Sequence, residues 1–184
     1  YPLSNSIPPS LIFNPIPPDF YINRNNKPIL WDIPENTELP DDRNRLAFYS
    51  ILELASLLKH RKITSTELTR FFINRLKVYG DTLECVISIT EKRALEQAAK
   101  ADQEISGGYY KGPLHGIPFG VKDLLAVEGY PTTWGAAPYK DQVIHKTATV
   151  VRKLEEAGGI LVAKLTLGAL AWGDVWYGGK TRNP

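Results

Sequence analysis

The chain has 184 residues, 43% hydrophobic and 23% charged, the composition of a globular protein large enough for one domain. Its 22 basic residues are interspersed with 20 acidic ones for a net charge of +2, so no basic face for nucleic acid or anionic lipid is written into it, and no nucleic-acid partner is expected. No apolar run approaches the roughly 18 residues needed to span a bilayer, and the single cysteine, Cys85, allows no internal disulfide.

Nine of the 14 prolines lie within residues 1–45, whereas the first glycine is Gly80. Proline at this density forbids regular helix, yet Leu11-Ile12-Phe13, Phe20-Tyr21 and Ile29-Leu30-Trp31 are too apolar for a free linker. Residues 1–45 therefore read as an extended proline-rich arm laid over a domain that begins at Leu46. Tyr1 is not preceded by methionine, so a leader removed before it is left open, and with it the compartment.

From Leu46 the apolar period becomes helical. Phe48, Ile51, Leu52, Ala55 and Leu58 mark one amphipathic helix, and Leu68, Phe71, Phe72, Leu76 and Tyr79 a second. The second opens on the capping box Thr64-Ser65-Thr66-Glu67 and is expected to stop at Gly80. Leu83 to Ile89 reads as a strand enclosing Cys85, which is expected to be buried and inert. Glu91 to Ser106 reads as a helix with Thr90 as its N-cap and Gly107-Gly108 as its end. Ile117 to Lys122 supplies the next strand, which predicts one βαβ unit. A second unit follows from the helix Thr149–Ala157 and the continuous apolar strand Ile160–Ala163. Between them, Leu124 to Thr147 has no period and exceeds the usual loop length; it starts at the carboxyl end of a strand, where open α/β sheets place ligands, and is expected to wall a pocket.

The stretch Leu114-His115-Gly116-Ile117-Pro118-Phe119-Gly120-Val121-Lys122-Asp123 places a cation at the end of an apolar strand. Two readings of Lys122 are open from pattern alone. Its stem packs while its head reaches water, or its amine is held in surroundings that disfavour the charged form.

Gly116 to Asp123, then Thr132-Thr133-Trp134-Gly135, Ala148 to Val151, Leu154 to Gly159, Ala163-Lys164 and Gly179 to Pro184, in that order and spacing, closely resemble the amidase signature family over residues 46–184. The resemblance implies an α/β fold with a mixed, largely parallel sheet covered by helices. It implies cleavage of a small-molecule or peptide amide through an acyl-serine, with no metal or cofactor. It assigns Lys122 as the catalytic base, acting through a cis-peptide serine on a nucleophilic serine, and places Gly168 and Leu170 on the substrate side of the cleft. The family's Gly/Ser-rich segment with both serines is expected shortly after Asn183-Pro184, so the chain reads as the front part of an enzyme whose site is completed by the remainder of the same polypeptide. A lysine that works as a base at neutral pH must be held uncharged against about 4 kcal/mol, which burial can supply.

Competing chemistries fit less well. His60, His115 and His145 sit in no Gly-x-Ser-x-Gly elbow, although His115 is a candidate for the pocket mouth, and with one cysteine they offer no metal-ligand spacing. Gly178-Gly179-Lys180-Thr181 misses the phosphate-loop spacing because Gly173 is one position too distant. Trp134, Trp172, Trp176 and Tyr177 make an aromatic surround. Leu165 to Ala169 departs from the acidic sequence common in tRNA-dependent amidotransferase subunits of the same family, which favours a stand-alone amidase over such a subunit or a non-catalytic fragment.

Overall fold

A computed structural model describes residues 29–183, and the architecture lies within the compact unit Trp31–Pro184. Residues 1–28 of the arm lie outside the described residues. Residues 34–40 run extended past the first helix: Pro34 O accepts from Ser56 Oγ at 2.5 Å, Thr37 O from Lys62 Nζ at 2.8 Å, and Glu38 O from the Tyr49 hydroxyl at 3.1 Å. The sequence boundary at Leu46 falls inside a 3-10 turn, Arg43–Phe48, capped by Asp42.

Helix α1 spans Ile51–Lys59 and opens on a capping box in which Ser50 and Glu53 satisfy each other's backbone N–H. Phe48 precedes that cap and is 84% exposed, so the expected apolar stripe begins later than its spacing suggests. Helix α2, Ser65–Leu83, has the anticipated box between Thr64 and Glu67. It runs through Gly80 rather than stopping there. Gly80 is buried, with space for a Cβ only 3.0 Å from Val86, and the helix ends at Glu84 in the left-handed region. Strand β1 is Val86–Ile89 and helix α3 is Glu91–Ser106, followed by Gly107. Thr90 stands at the N-cap position but makes no side-chain cap. Its hydroxyl donates to Leu161 O at 2.5 Å, tying the helix start to the sheet. Strand β2 is Pro118–Lys122, helix α4 is Thr149–Glu156 and strand β3 is Ile160–Leu165. A two-stranded ribbon pairs β4, Val175–Trp176, with β5, Gly179–Lys180.

The three-stranded sheet has the order β1-β3-β2, with β2 parallel and β1 antiparallel to β3. The sheet is mixed, as expected. Only β2-α4-β3 is a parallel crossover between neighbours, so the anticipated βαβ unit from β1 to β2 does not form. The reason is the central place of β3. Its run Ile160–Ala163 is apolar on both faces and takes both neighbours, leaving β1 and β2 on opposite edges.

One face of β3 packs through Ile160, Val162 and Ala163 on Ile73 of α2 and on Ala94, Ala98 and Ala101, the small-residue stripe of α3. The other places Leu161 against Val121, Val127 and Val151. Each fully buried aliphatic side chain contributes about 1.5–3 kcal/mol, which fixes the sheet against its helices and therefore fixes what projects from its end. Among the described residues no helix is long and apolar enough to cross a membrane.

Candidate functional site

The site builds from the carboxyl end of β2. Register pairs Val121 with Lys164 and Lys122 with Leu165, and Asp123 N donates to Leu165 O at 2.8 Å, so β3 holds the strand up to and past Lys122. Lys122 is exposed, and its amine makes no hydrogen bond or ion pair among the described residues. Of the two readings open from the sequence, these residues give the water-facing one.

The buried lysine is the other one. Lys164 and Asp123 are both fully buried, with Nζ 2.5 Å from Asp123 Oδ1. The contact is an ion pair, and Oδ1 has no hydrogen bond among the described residues. Nζ also donates to Pro131 O at 2.5 Å and to Thr132 Oγ1 at 2.8 Å. Burial draws the Lys164 pKa down while Asp123 pulls it back up. Two donated hydrogen bonds and the Asp123 carboxylate alongside hold Nζ in place.

Asp123 Oδ2 in turn accepts from Thr133 N at 2.7 Å and Thr133 Oγ1 at 2.5 Å, and Thr133 Oγ1 accepts from Gly135 N at 3.1 Å. The long segment after β2 is thereby pinned to the sheet end, and Pro131 bridges Val143 across it. Trp134 O accepts from Leu170 N at 2.8 Å and Gly135 O from Tyr177 N at 3.0 Å, so the stretch bearing Gly168 and Leu170 hangs on the same loop.

This rim is conformationally unusual. Trp134, Leu170 and Ala171 have φ of 52°, 54° and 66°, three of the five non-glycine residues in the left-handed region among the described residues. Gly135, at φ 69°, sits where a Cβ would lie 2.3 Å from Leu167 O, and a Cβ on Gly168 would lie 2.1 Å from Trp172 O. Close backbone crossing therefore requires glycine at both. The aromatic surround is partial. Trp134 packs on Tyr139 at 4.9 Å and Trp176 on Tyr177 at 5.0 Å, whereas Trp172 is 87% exposed. Burial pushes the Tyr177 phenol up, with Thr133 opposing.

The structure thus gathers Lys122, Gly168 and Leu170 around one hydrogen-bonded cluster. It does not bring His115 there. His115 precedes β2 at the strand's other end, fully buried, its Nδ1 accepting from Lys111 N at 3.1 Å and its Nε2 2.9 Å from Glu104 Oε2. Cys85 is half-buried, and burial raises its thiol pKa. The members that sequence reasoning missed are Asp123, Lys164, Thr132 and Thr133. Lys164 directly continues the apolar run Ile160–Ala163, and a lysine there must be buried beside an acid, which was the available signal.

A profile of the Amidase family matches residues 67–184. The chain belongs to the amidase family. Among curated relatives it is 36% identical over 138 residues to the A-type subunit of the glutamyl-tRNA(Gln) amidotransferase of Nitrosomonas europaea, covering 73% of this chain and 28% of that protein. It is 30% identical over 142 residues to an acylamidase of Rhodococcus erythropolis, covering 76% and 30%. Among solved structures, the native peptide amidase of Stenotrophomonas maltophilia superposes with a TM-score of 0.70 at 30% identity, covering 75% of this chain and 30% of that one. This amidase-family chain thus spans 28–30% of the length of these three relatives, and its helices and mixed sheet form part of the α/β fold that the solved amidases share.

Proposed function

We propose that the protein containing this chain hydrolyses a carboxylic amide, of a small molecule or a peptide, through an acyl-serine, with Lys122 as the base. The carrying observation is that family membership coincides with a lysine held by sheet register at the carboxyl end of β2, unpaired among the described residues, beside a strained rim at Trp134, Leu170 and Ala171. In this reading the two serines lie outside the 184 residues. The segment that carries them covers Lys122 and removes from water the amine that is exposed among residues 29–183. Neutral Lys122 draws a proton from a cis-peptide serine, which draws one from the nucleophile. The nucleophilic oxygen attacks the amide carbon, the proton returns along the same chain to the leaving amine, and water then releases the acid. Gly168 and Leu170 border the acyl group.

The test is hydrolysis of a panel of carboxylic amides and anilides by the complete protein, read as ammonia or aniline release. Lys122→Ala should lower kcat by about three orders of magnitude or more with the fold intact. The 184-residue chain alone should neither hydrolyse amides nor take up a serine-directed fluorophosphonate. An adduct on it would sink the assignment of the serines.

The 36% identity to an A-type amidotransferase subunit supports a second reading, in which the complete protein amidates a tRNA-bound acyl group with partner chains. Activity that depends on an added ammonia-supplying partner would select it. The departure at Leu165 to Ala169 favours the stand-alone hydrolase.

A further inference from the structure

The Lys164–Asp123 pair is an expensive thing to bury. Two charges removed from water recover their desolvation cost only with excellent geometry and full hydrogen bonding, and apolar residues of similar volume serve stability as well. Both residues are inaccessible to solvent, and neither can act on a substrate. Their contacts lead somewhere specific. Asp123 is bonded along the backbone to Lys122, and through Oδ2 it holds Thr133 N and Oγ1. Thr133 Oγ1 holds Gly135 N, Gly135 O holds Tyr177 N, and Trp134 O holds Leu170 N. From the other side Lys164 holds Pro131 O and Thr132 Oγ1 at the entrance to the same turn. A continuous path thus runs from the candidate base to the candidate substrate rim. Its far members, Trp134, Leu170 and Ala171, are in the left-handed region that non-glycine residues keep only when their surroundings over-determine it.

We propose that Asp123, Lys164 and Thr133 are positioning residues, a buried clamp that fixes the end of β2 bearing Lys122 at a set offset from the rim at Trp134 and Leu170. The inference rests on the hydrolase reading for its catalytic consequence and on the hydrogen-bond path alone for its structural one. Proton transfer through a serine relay tolerates little misplacement, and a displacement of about 1 Å can cost about a hundredfold in rate. Lys164 is fully buried and paired with Asp123, out of reach of a substrate, so its contribution is geometric.

The experiment uses the complete protein with Thr133→Val, which removes the hydroxyl at near-constant shape, and Thr133→Ser, which restores it. Two quantities are read: kcat per active site, with sites counted by fluorophosphonate titration, and amide hydrogen exchange at Leu170 and Tyr177. Thr133→Val should lower kcat per titrated site by about 10- to 100-fold, with KM changed by less than about threefold. It should speed exchange at both amides by about tenfold or more, and Thr133→Ser should return both quantities to within about threefold of wild type. A merely structural role would reduce the number of titratable sites and leave kcat per site unchanged. That result, or unchanged exchange at Leu170 and Tyr177 in folded Thr133→Val, overturns the clamp. Should Thr133→Val not fold, the double variant Asp123→Leu with Lys164→Met, which removes both charges and the acceptor of Thr133 at similar volume, carries the same two expectations. A wild-type protein that hydrolyses no amide overturns the hydrolase reading and the catalytic half of this one. The exchange arm then decides the structural half by itself.

Discussion

Strand β2 has at each end a polar cluster built on a buried side chain, and the two differ in what they leave over. At the amino end His115, Glu104 and Lys111 satisfy one another: Nδ1 accepts from a backbone N–H, while the Glu104 carboxylate receives both His115 Nε2 and, at 2.9 Å, Lys111 Nζ. At the carboxyl end Asp123, Lys164, Thr132 and Thr133 hold one another, but the neighbouring Lys122 stands outside the set, and the loop they hold is strained. A closed cluster stabilises. A closed cluster with one ionisable group excluded and a strained loop attached has the form of a support for chemistry.

The largest effects should separate the two lysines at that end. Lys122 makes no hydrogen bond or ion pair among the described residues, so Lys122→Arg breaks none of these, and the complete protein should still unfold in a single cooperative urea transition. Its kcat should nevertheless fall nearly as far as that of Lys122→Ala, because a guanidinium does not give up its proton. Full activity in Lys122→Arg would show that only positive charge is wanted there, and the distinction between the ends would lose its chemical meaning.

Lys164 should behave in the opposite sense. Lys164→Met leaves Asp123 as an unpaired buried carboxylate, and breaking a pair in this way costs about 3–5 kcal/mol. Adding Asp123→Asn should recover much of that loss, since removal of both charges restores neutrality at similar volume. Urea unfolding of the two variants checks this. A double variant no more stable than the single one would mean that Asp123 is held mainly by Thr133 and not by the ammonium.

Local signals in the sequence explain which parts of this were legible. The ends of α3 at Glu91 and Ser106 and the Thr64–Glu67 capping box are decided within a few residues, and the structure keeps them. The continuation of α2 through Gly80 is decided at long range. Gly80 packs on Val86, while the Glu84 carboxylate accepts from Lys180 N at 2.6 Å and Arg182 Nη2 at 2.7 Å, contacts that no local pattern displays. Strand order was hidden for the same reason, because the apolar period of β1 is the same whether it pairs parallel or antiparallel. The candidate site divides likewise. Lys122, Gly168 and Leu170 came from an ordered motif set, whereas the Lys164–Asp123 pair exists only through the β2–β3 register.

The smallest effect belongs to the amino end and concerns pH. Burial holds the His115 pKa below its ordinary value of 6.5, helped by the Lys111 charge and opposed by Glu104. The groups facing the ring are Glu104, Lys111 and the tyrosines Tyr109 and Tyr110, with ring centroids 6.4 and 5.8 Å away. Its Nδ1 accepts a backbone N–H, so a second ring proton would displace that bond. Because the folded value is the lower one, the unfolded chain binds more protons between the two values. Stability should therefore fall as pH drops below about 6.5 and level off once pH passes the folded value. Glu104, lowered chiefly by its hydrogen bond to Lys111, adds a second decline only below its ordinary 4.5. One proton limits the first slope to about 1.4 kcal/mol per pH unit. His115→Gln keeps a side chain that can accept from Lys111 N and donate to Glu104 but cannot titrate. The difference in unfolding free energy between pH 7 and pH 5 should shrink in that variant, while kcat at pH 7 stays within about twofold of wild type because the carboxyl-end cluster is untouched. An undiminished pH dependence in His115→Gln would move the proton uptake to another group and leave the amino-end cluster without a measurable role in stability.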